Sequence, residues 1–176
     1  RHTSASARGM AMGSLTYLMF EKGVTTRMFW AFACVPMVVD VIMEELMLYW
    51  DLYIYYGEQP LILINKLPLW WVPCNSLGEV LGVSVVLLAK PLLQGWRLLL
   101  VPLLIPVCDA IAYAAISLPS WIVVNTPVPG WINQLGGIAT WVLALMVLYV
   151  LSLAIPKDSP LARVLDAHGA TCRSSS

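Results

Sequence analysis

The sequence predicts an all-α fold, a polytopic transmembrane bundle of about four helical spans with both termini cytoplasmic. Three observations predict it. The 176 residues are 60% hydrophobic and only 11% charged, where an ordinary globular domain is roughly a quarter charged. The mean hydropathy is +0.79. The apolar residues gather into runs close to the 20 or so that a spanning helix needs, and the basic residues gather in alternate connections.

Residues 1–27 read as a cytoplasmic or interfacial segment. Within them the apolar run 10–20 is too short to span and reads as an interfacial helix, or as the tail of a span lost upstream. The first residue is Arg1, so the chain reads as a fragment or part of a longer protein, and no signal-peptide pattern is visible. The transmembrane domain covers residues 28–155, with spans over 28–52, 67–89, 98–124 and 131–155. Residues 156–176 form a cytoplasmic tail. No internal repeat is evident.

Basic residues set the orientation. Arg1, Arg8, Lys22 and Arg27 precede the first span, Lys90 and Arg97 follow the second, and Lys157, Arg163 and Arg173 follow the fourth. The other two connections hold only Lys66. The positive-inside rule therefore places both ends in the cytoplasm of a multi-pass cell-membrane protein. Trp30, Trp50, Trp70, Trp71, Trp96, Trp121 and Trp131 sit near span ends, where indole rings anchor at headgroup level. Pro36, Pro102 and Pro106 lie inside spans and Pro73 near the start of one. Each removes a backbone donor and can kink its helix, opening space between helices.

The first span carries the run VVDVIMEELML, residues 38–48, with three carboxylates and no Lys or Arg nearer than Arg27 and Lys66. On a helical wheel Asp40, Glu44 and Asp51 fall within roughly 40° of one another, while Glu45 points roughly 140° away from Asp40. Asp40 and Glu44 are expected one turn apart near the bilayer centre. The other spans repeat the spacing: Asn75 with Glu79, and Asp109 with Tyr113, a line that Ser117 extends. Span four opens with Asn133 and Gln134. A charged acid at a helix centre costs about 2.5–3.5 kcal/mol on insertion scales. Asp40, Glu44, Glu79 and Asp109 are therefore expected to face inward and share polar partners, with at least one carrying its proton at neutral pH.

Absences narrow the chemistry. The two histidines, His2 and His168, lie outside the spans. Histidine-cluster di-iron sites and bis-histidine haem are thereby excluded, and a metal held by carboxylates alone has little support. The four cysteines form no CxxC pair, and Cys34, Cys74 and Cys108 read as small hydrophobes. There is no phosphate-binding glycine loop and no nucleophile elbow; Gly136-Gly137 reads as a helix-packing spot. Zero net charge gives no sign of a nucleic-acid partner. No cofactor is expected. What remains is carboxylic acids in an apolar setting, able to protonate an alkene, ketone or hydroxyl of a lipophilic substrate and to take a proton back. Tyr49, Tyr53, Tyr55, Tyr56, Trp70 and Trp71 gather around the outer end of spans one and two, and such rings can stabilise a cationic intermediate.

The run MEELMLYWDLYIYYGEQPLILINKLPLWWVPCNSLGEVLG (residues 43–82) and the later SLPSWIVVNT (residues 117–126) resemble the AveC-like spirocyclase family of actinobacterial membrane proteins. The shared order is an acid-bearing helix, an aromatic Tyr/Gly segment, a Pro-Leu-Trp-Trp start and an Asn…Glu helix, and it covers roughly residues 28–155. The arrangement is more weakly similar to membrane carotenoid cyclases. The resemblance implies acid-assisted cyclisation of a dihydroxy-ketone polyketide to a spiroketal, and dehydration of the product. It carries no established catalytic motif, so the site residues rest on position alone.

The leading expectation is a cofactor-independent membrane cyclase or dehydratase acting on a lipophilic polyketide or terpenoid. Asp40 and Glu44 form its acid–base pair, Glu79 and Asp109 complete the catalytic set, and Asn75, Tyr113, Tyr49, Tyr53, Trp70 and Trp71 bind substrate. Its partners are the lipid bilayer, a lipophilic small molecule, and a second copy or other membrane subunits. Three other readings stand beside it: acids that only hold the bundle together as neutral groups, a non-catalytic subunit of a larger membrane complex, and a proton- or cation-coupled transporter.

Overall fold

The computed structural model describes Tyr17, Phe20 and residues 23–158. The N-terminal segment before them and most of the tail 156–176 lie outside the described residues, as do Cys172 and both histidines. Among the described residues the fold is all-helical, a bundle in which three helices are long and apolar enough to cross a membrane. Its only strand-like feature there is an isolated bridge between Ile62 and Pro68.

Helix α1 runs Thr26–Tyr49 and continues through Pro36. Helix α2 is Trp71–Leu88. A 3-10 turn, Gly95–Leu100, leads into α3, Val101–Ala110. A π-helical segment, Ile111–Ile116, follows, and then the short α4, Leu118–Val124. Helix α5 is Gly130–Ala154. The three spanning runs are Trp71–Leu88, Gly95–Ile116 and Gly130–Ala154. The expected third span, 98–124, is thus not one helix. It breaks at Ser117, whose N–H reaches back to Ala112, two residues before Pro119, which has no N–H to give. Most prolines fall where a missing donor matters least. Pro73, Pro102 and Pro119 all sit in first helical turns, whose N–H groups have no intrahelical partner.

Helix α2 lies at the centre, packed against α1, α3, the π segment and α5. Its sequence explains that place. Ser76, Gly78, Gly82 and Ser84 are small, and small residues let helix backbones approach closely in a bilayer. At Gly78 the approach is closest: an added Cβ would collide with the Asp109 carboxylate. The apolar core joins Phe29 and Ala33 of α1, Leu77, Val80 and Val83 of α2, Ala112 of the π segment, and Ala144, Leu148 and Leu151 of α5. Cys74 and Cys108 are buried as expected. Cys34 is exposed instead, on the same outward stripe of α1 as Val35 and Val38.

The two ends of the described chain meet. The Asp158 carboxylate accepts the Thr26 N–H at 2.7 Å and its hydroxyl at 3.0 Å. The Lys157 N–H donates to the Val24 carbonyl at 3.0 Å. Asp158 therefore serves α1 as an N-cap borrowed from the far end of the sequence, beside Thr25, whose hydroxyl accepts from Met28. An anion there also suits the positive end of the helix dipole. Asp158→Ala is expected to lower stability by about 1 kcal/mol, read as an earlier midpoint in a denaturing-detergent titration.

Candidate functional site

The opposite end of the bundle, here the loop end, carries residues 50–70 and the turn at 125–129. Helix α1 stops at Tyr49. Asp51 then takes φ +51° and is exposed, so it leaves the helical wheel and does not join Asp40 and Glu44. The earlier stop also moves Glu44. It lies five residues from the end of α1, about 7–8 Å along the axis, rather than at mid-helix.

Residues 52–70 fold back over α1 as a strap. Tyr53 and Tyr55 both donate their hydroxyls to Oε2 of Glu44, Tyr55 at 2.8 Å. Neither bonds to Oε1. Glu45, on the other side of α1, holds the strap itself. Its carboxylate accepts the Asn65 N–H at 3.0 Å. From α5, Asn133 donates to the Glu58 carbonyl at 2.8 Å and Gln134 accepts the Leu61 N–H at 2.9 Å. Gly137 of α5 lets the strap sit close, since a Cβ there would press on Pro60 and Leu61. Acids and amides adjacent in sequence thus divide their work, Glu44 toward the tyrosines and Glu45 toward the strap backbone.

The second polar group crosses three elements. Asn75 of α2 donates its amide N–H to Oδ2 of Asp40 at 2.7 Å, and its amide oxygen accepts from the Tyr113 hydroxyl. Every donor in this chain points toward Asp40. One turn further along α2 and back along α3 come Glu79 and Asp109, with Asp109 seated on Gly78. Oε1 of Glu79 is buried and has no hydrogen-bond partner among the described residues. The four acids therefore lie in two layers, Asp40 and Glu44 at the loop end and Glu79 with Asp109 a turn deeper.

Aromatic rings cover the upper layer. Tyr53 packs on Tyr55, Tyr55 on Trp71, Trp71 on Tyr113 at 4.9 Å, and Trp121 on both Trp70 and Trp71. Trp70 is fully buried and donates its indole N–H to Gln59 at 3.0 Å. Trp50, Trp96 and Trp131 are exposed, as headgroup anchors would be. Trp70, Trp71 and Trp121 instead turn inward as a wall. Tyr49 stays apart, 68% exposed on the outside of α1. A surface groove of about 640 Å³ lies between Tyr56, Glu58 and residues 123–129. It is on the loop end and touches the wall through Tyr56, whose ring packs on Trp121.

The sequence pointed to the acids, Asn75, Tyr113 and the tyrosine cluster. It did not single out Trp121 as part of that wall, nor the pairing of Gln59 with Trp70. Pro119, two residues after Ser117, was the available signal, because a proline there breaks the helix and redirects Trp121.

Tyr55 lies outside the spans, and its phenol is pushed above the ordinary value of 10 by burial first and then by the adjacent Glu44 carboxylate. A raised folded-state value means stability fully present below pH 10 and lost as pH rises beyond it. Tyr55→Phe is expected to flatten the fall in stability between about pH 9 and about pH 11, measured by detergent titration at each pH. An unchanged slope would contradict the burial of this phenol.

Comparison of the chain with protein-family models, with characterised proteins and with solved structures returned no match.

Proposed function

We propose that the chain is a four-span cell-membrane protein and a cofactor-independent acid–base catalyst of cyclisation or dehydration of a lipophilic substrate. The observation that carries the chemistry is the setting of Asp40 and Glu44. Among the described residues each is hydrogen-bonded by neutral donors, an amide for one and two phenols for the other, under a wall of aromatic rings. A carboxylic acid so placed protonates a ketone oxygen; its conjugate base takes the proton from the attacking hydroxyl. For a dihydroxy-ketone, two hydroxyls add to one carbonyl carbon and one water leaves. Tyr55, Trp71 and Tyr113 offer ring faces to the oxocarbenium charge that develops between those steps. The resemblance to AveC-like spirocyclases favours the same substrate class.

The four-span count is supported by the joined ends. Val24 and Thr26 bond to Lys157 and Asp158, so α1 begins where α5 finishes, which fits an even number of crossings. Helix α1 is not among the three helices apolar enough to cross, but at 24 residues, about 36 Å, it is long enough, and we take the crossings as α1, α2, the broken third helix and α5. The basic residues then favour the cytoplasm for the joined ends.

The test is turnover. The chain, purified into nanodiscs, is incubated with a synthetic long-chain dihydroxy-ketone, and mass spectrometry follows loss of water. Product formation that vanishes in Asp40→Asn and Glu44→Gln supports the reading. A chain inert toward dihydroxy-ketones and alkenols alike overturns it. One observation favours a second reading, a subunit of a larger complex: in the Gly95–Ile116 run only Cys108 and Ala112 are buried, and it presents Trp96, Leu99 and Leu103 outward. Co-purifying stoichiometric partner chains would favour that reading.

A further inference from the structure

The break in the third span has a consequence for Asp40. In a regular α-helix the Ser117 N–H would bond to the Tyr113 carbonyl. Here it bonds to the Ala112 carbonyl at 3.2 Å, the i to i−5 pattern of a π turn, and such turns are frequent at functional sites. The released Tyr113 carbonyl is taken by two side chains. The Ser117 hydroxyl donates to it, and so does the Trp121 indole N–H at 2.6 Å. Ser117 is fully buried. Trp121 is fixed in turn by the rings of Trp70 and Trp71. The peptide that follows Tyr113 is therefore held from two directions, and it joins the Cα that carries the phenol. That side chain ends at Asn75, and Asn75 ends at Asp40.

We propose that Ser117 and Trp121 are positioning residues, which act through the backbone carbonyl of Tyr113 to aim its phenol at Asn75 and so orient the Asn75 amide on Asp40. Neither residue touches the reacting atoms. The inference rests on the reading of Asp40 as an acid–base group, but its test does not require turnover.

The experiment is infrared difference spectroscopy of the full chain in nanodiscs. The band belonging to Asp40 is identified by its loss in Asp40→Asn. Tyr113→Phe sets the shift produced when the phenol is missing. Trp121→Phe keeps a ring in the wall but removes the indole donor, and it is expected to move the Asp40 band in the same direction as Tyr113→Phe. Ser117→Ala, which changes volume least, is expected to give a smaller shift of the same sign and serves if Trp121→Phe does not fold. Trp131→Phe, at an exposed indole on α5, is expected to leave the band in place. A band unmoved by both Trp121→Phe and Ser117→Ala while Tyr113→Phe shifts it overturns the proposal, as does a band insensitive to Tyr113→Phe. A shifted band in a chain with no cyclase activity upholds the positioning and removes only the catalytic reading.

Discussion

Glu44→Gln is expected to lower kcat on a dihydroxy-ketone by about 10²–10⁴-fold, the usual contribution of a positioned acid or base, with KM little changed. The substitution is nearly isosteric. A Gln carbonyl still accepts from Tyr53 and Tyr55, whose hydroxyls both converge on Oε2, so the strap stays in place and the fold survives. What disappears is a proton that can be given and regained. Glu45→Gln supplies the contrast. Glu45 serves the Asn65 backbone on the far side of α1, so its loss is expected to weaken the strap by about 1 kcal/mol and leave kcat unchanged. Equal rates for wild type and Glu44→Gln in the nanodisc assay would remove Glu44 from the chemistry.

The divergence of these two side chains was legible in advance, because helical geometry alone separates positions 44 and 45 by 100°. The same reasoning found Asn75, Glu79, Asp109 and Tyr113, since four-residue spacing holds wherever the helix is regular. It failed where regularity ends. Asp51 was placed on the acid face by extending α1 past Tyr49, but the chain turns into a left-handed conformation there. The third span reads as one apolar run because hydropathy does not register which carbonyl an N–H chooses. The shift of the Ser117 N–H from Tyr113 to Ala112 is a one-residue change with no hydropathic signature. Indoles near span ends suit the interface, yet Trp70, Trp71 and Trp121 converge inward because the strap brings Gln59 and the tyrosines over them. That convergence is a long-range effect of Asn133 and Gln134 gripping the strap, and no local pattern encodes it.

Trp70→Ala is expected to have the largest effect on stability, about 3–5 kcal/mol. Trp70 is 1% exposed and stands just before the first turn of α2. Its ring packs edge-on against Trp71 at 5.2 Å and Trp121 at 5.6 Å. Truncation would empty the centre of the wall and also leave the buried Gln59 carbonyl without its donor, a further about 1–3 kcal/mol. The two losses share one side chain, so they are not independent and the total stays near the upper end of the range. Trp70→Phe separates them. It keeps most of the ring and forfeits only the hydrogen bond, so a loss near 1–2 kcal/mol is expected. The check is a denaturing-detergent titration followed by far-ultraviolet circular dichroism, with Trp96→Ala as the comparison, an indole 75% exposed that bears no such load. A Trp70→Ala midpoint no earlier than that of Trp96→Ala would mean the wall does not hold the loop end together. The placement of Tyr55, Trp71 and Tyr113 over Asp40 and Glu44 would then need another source.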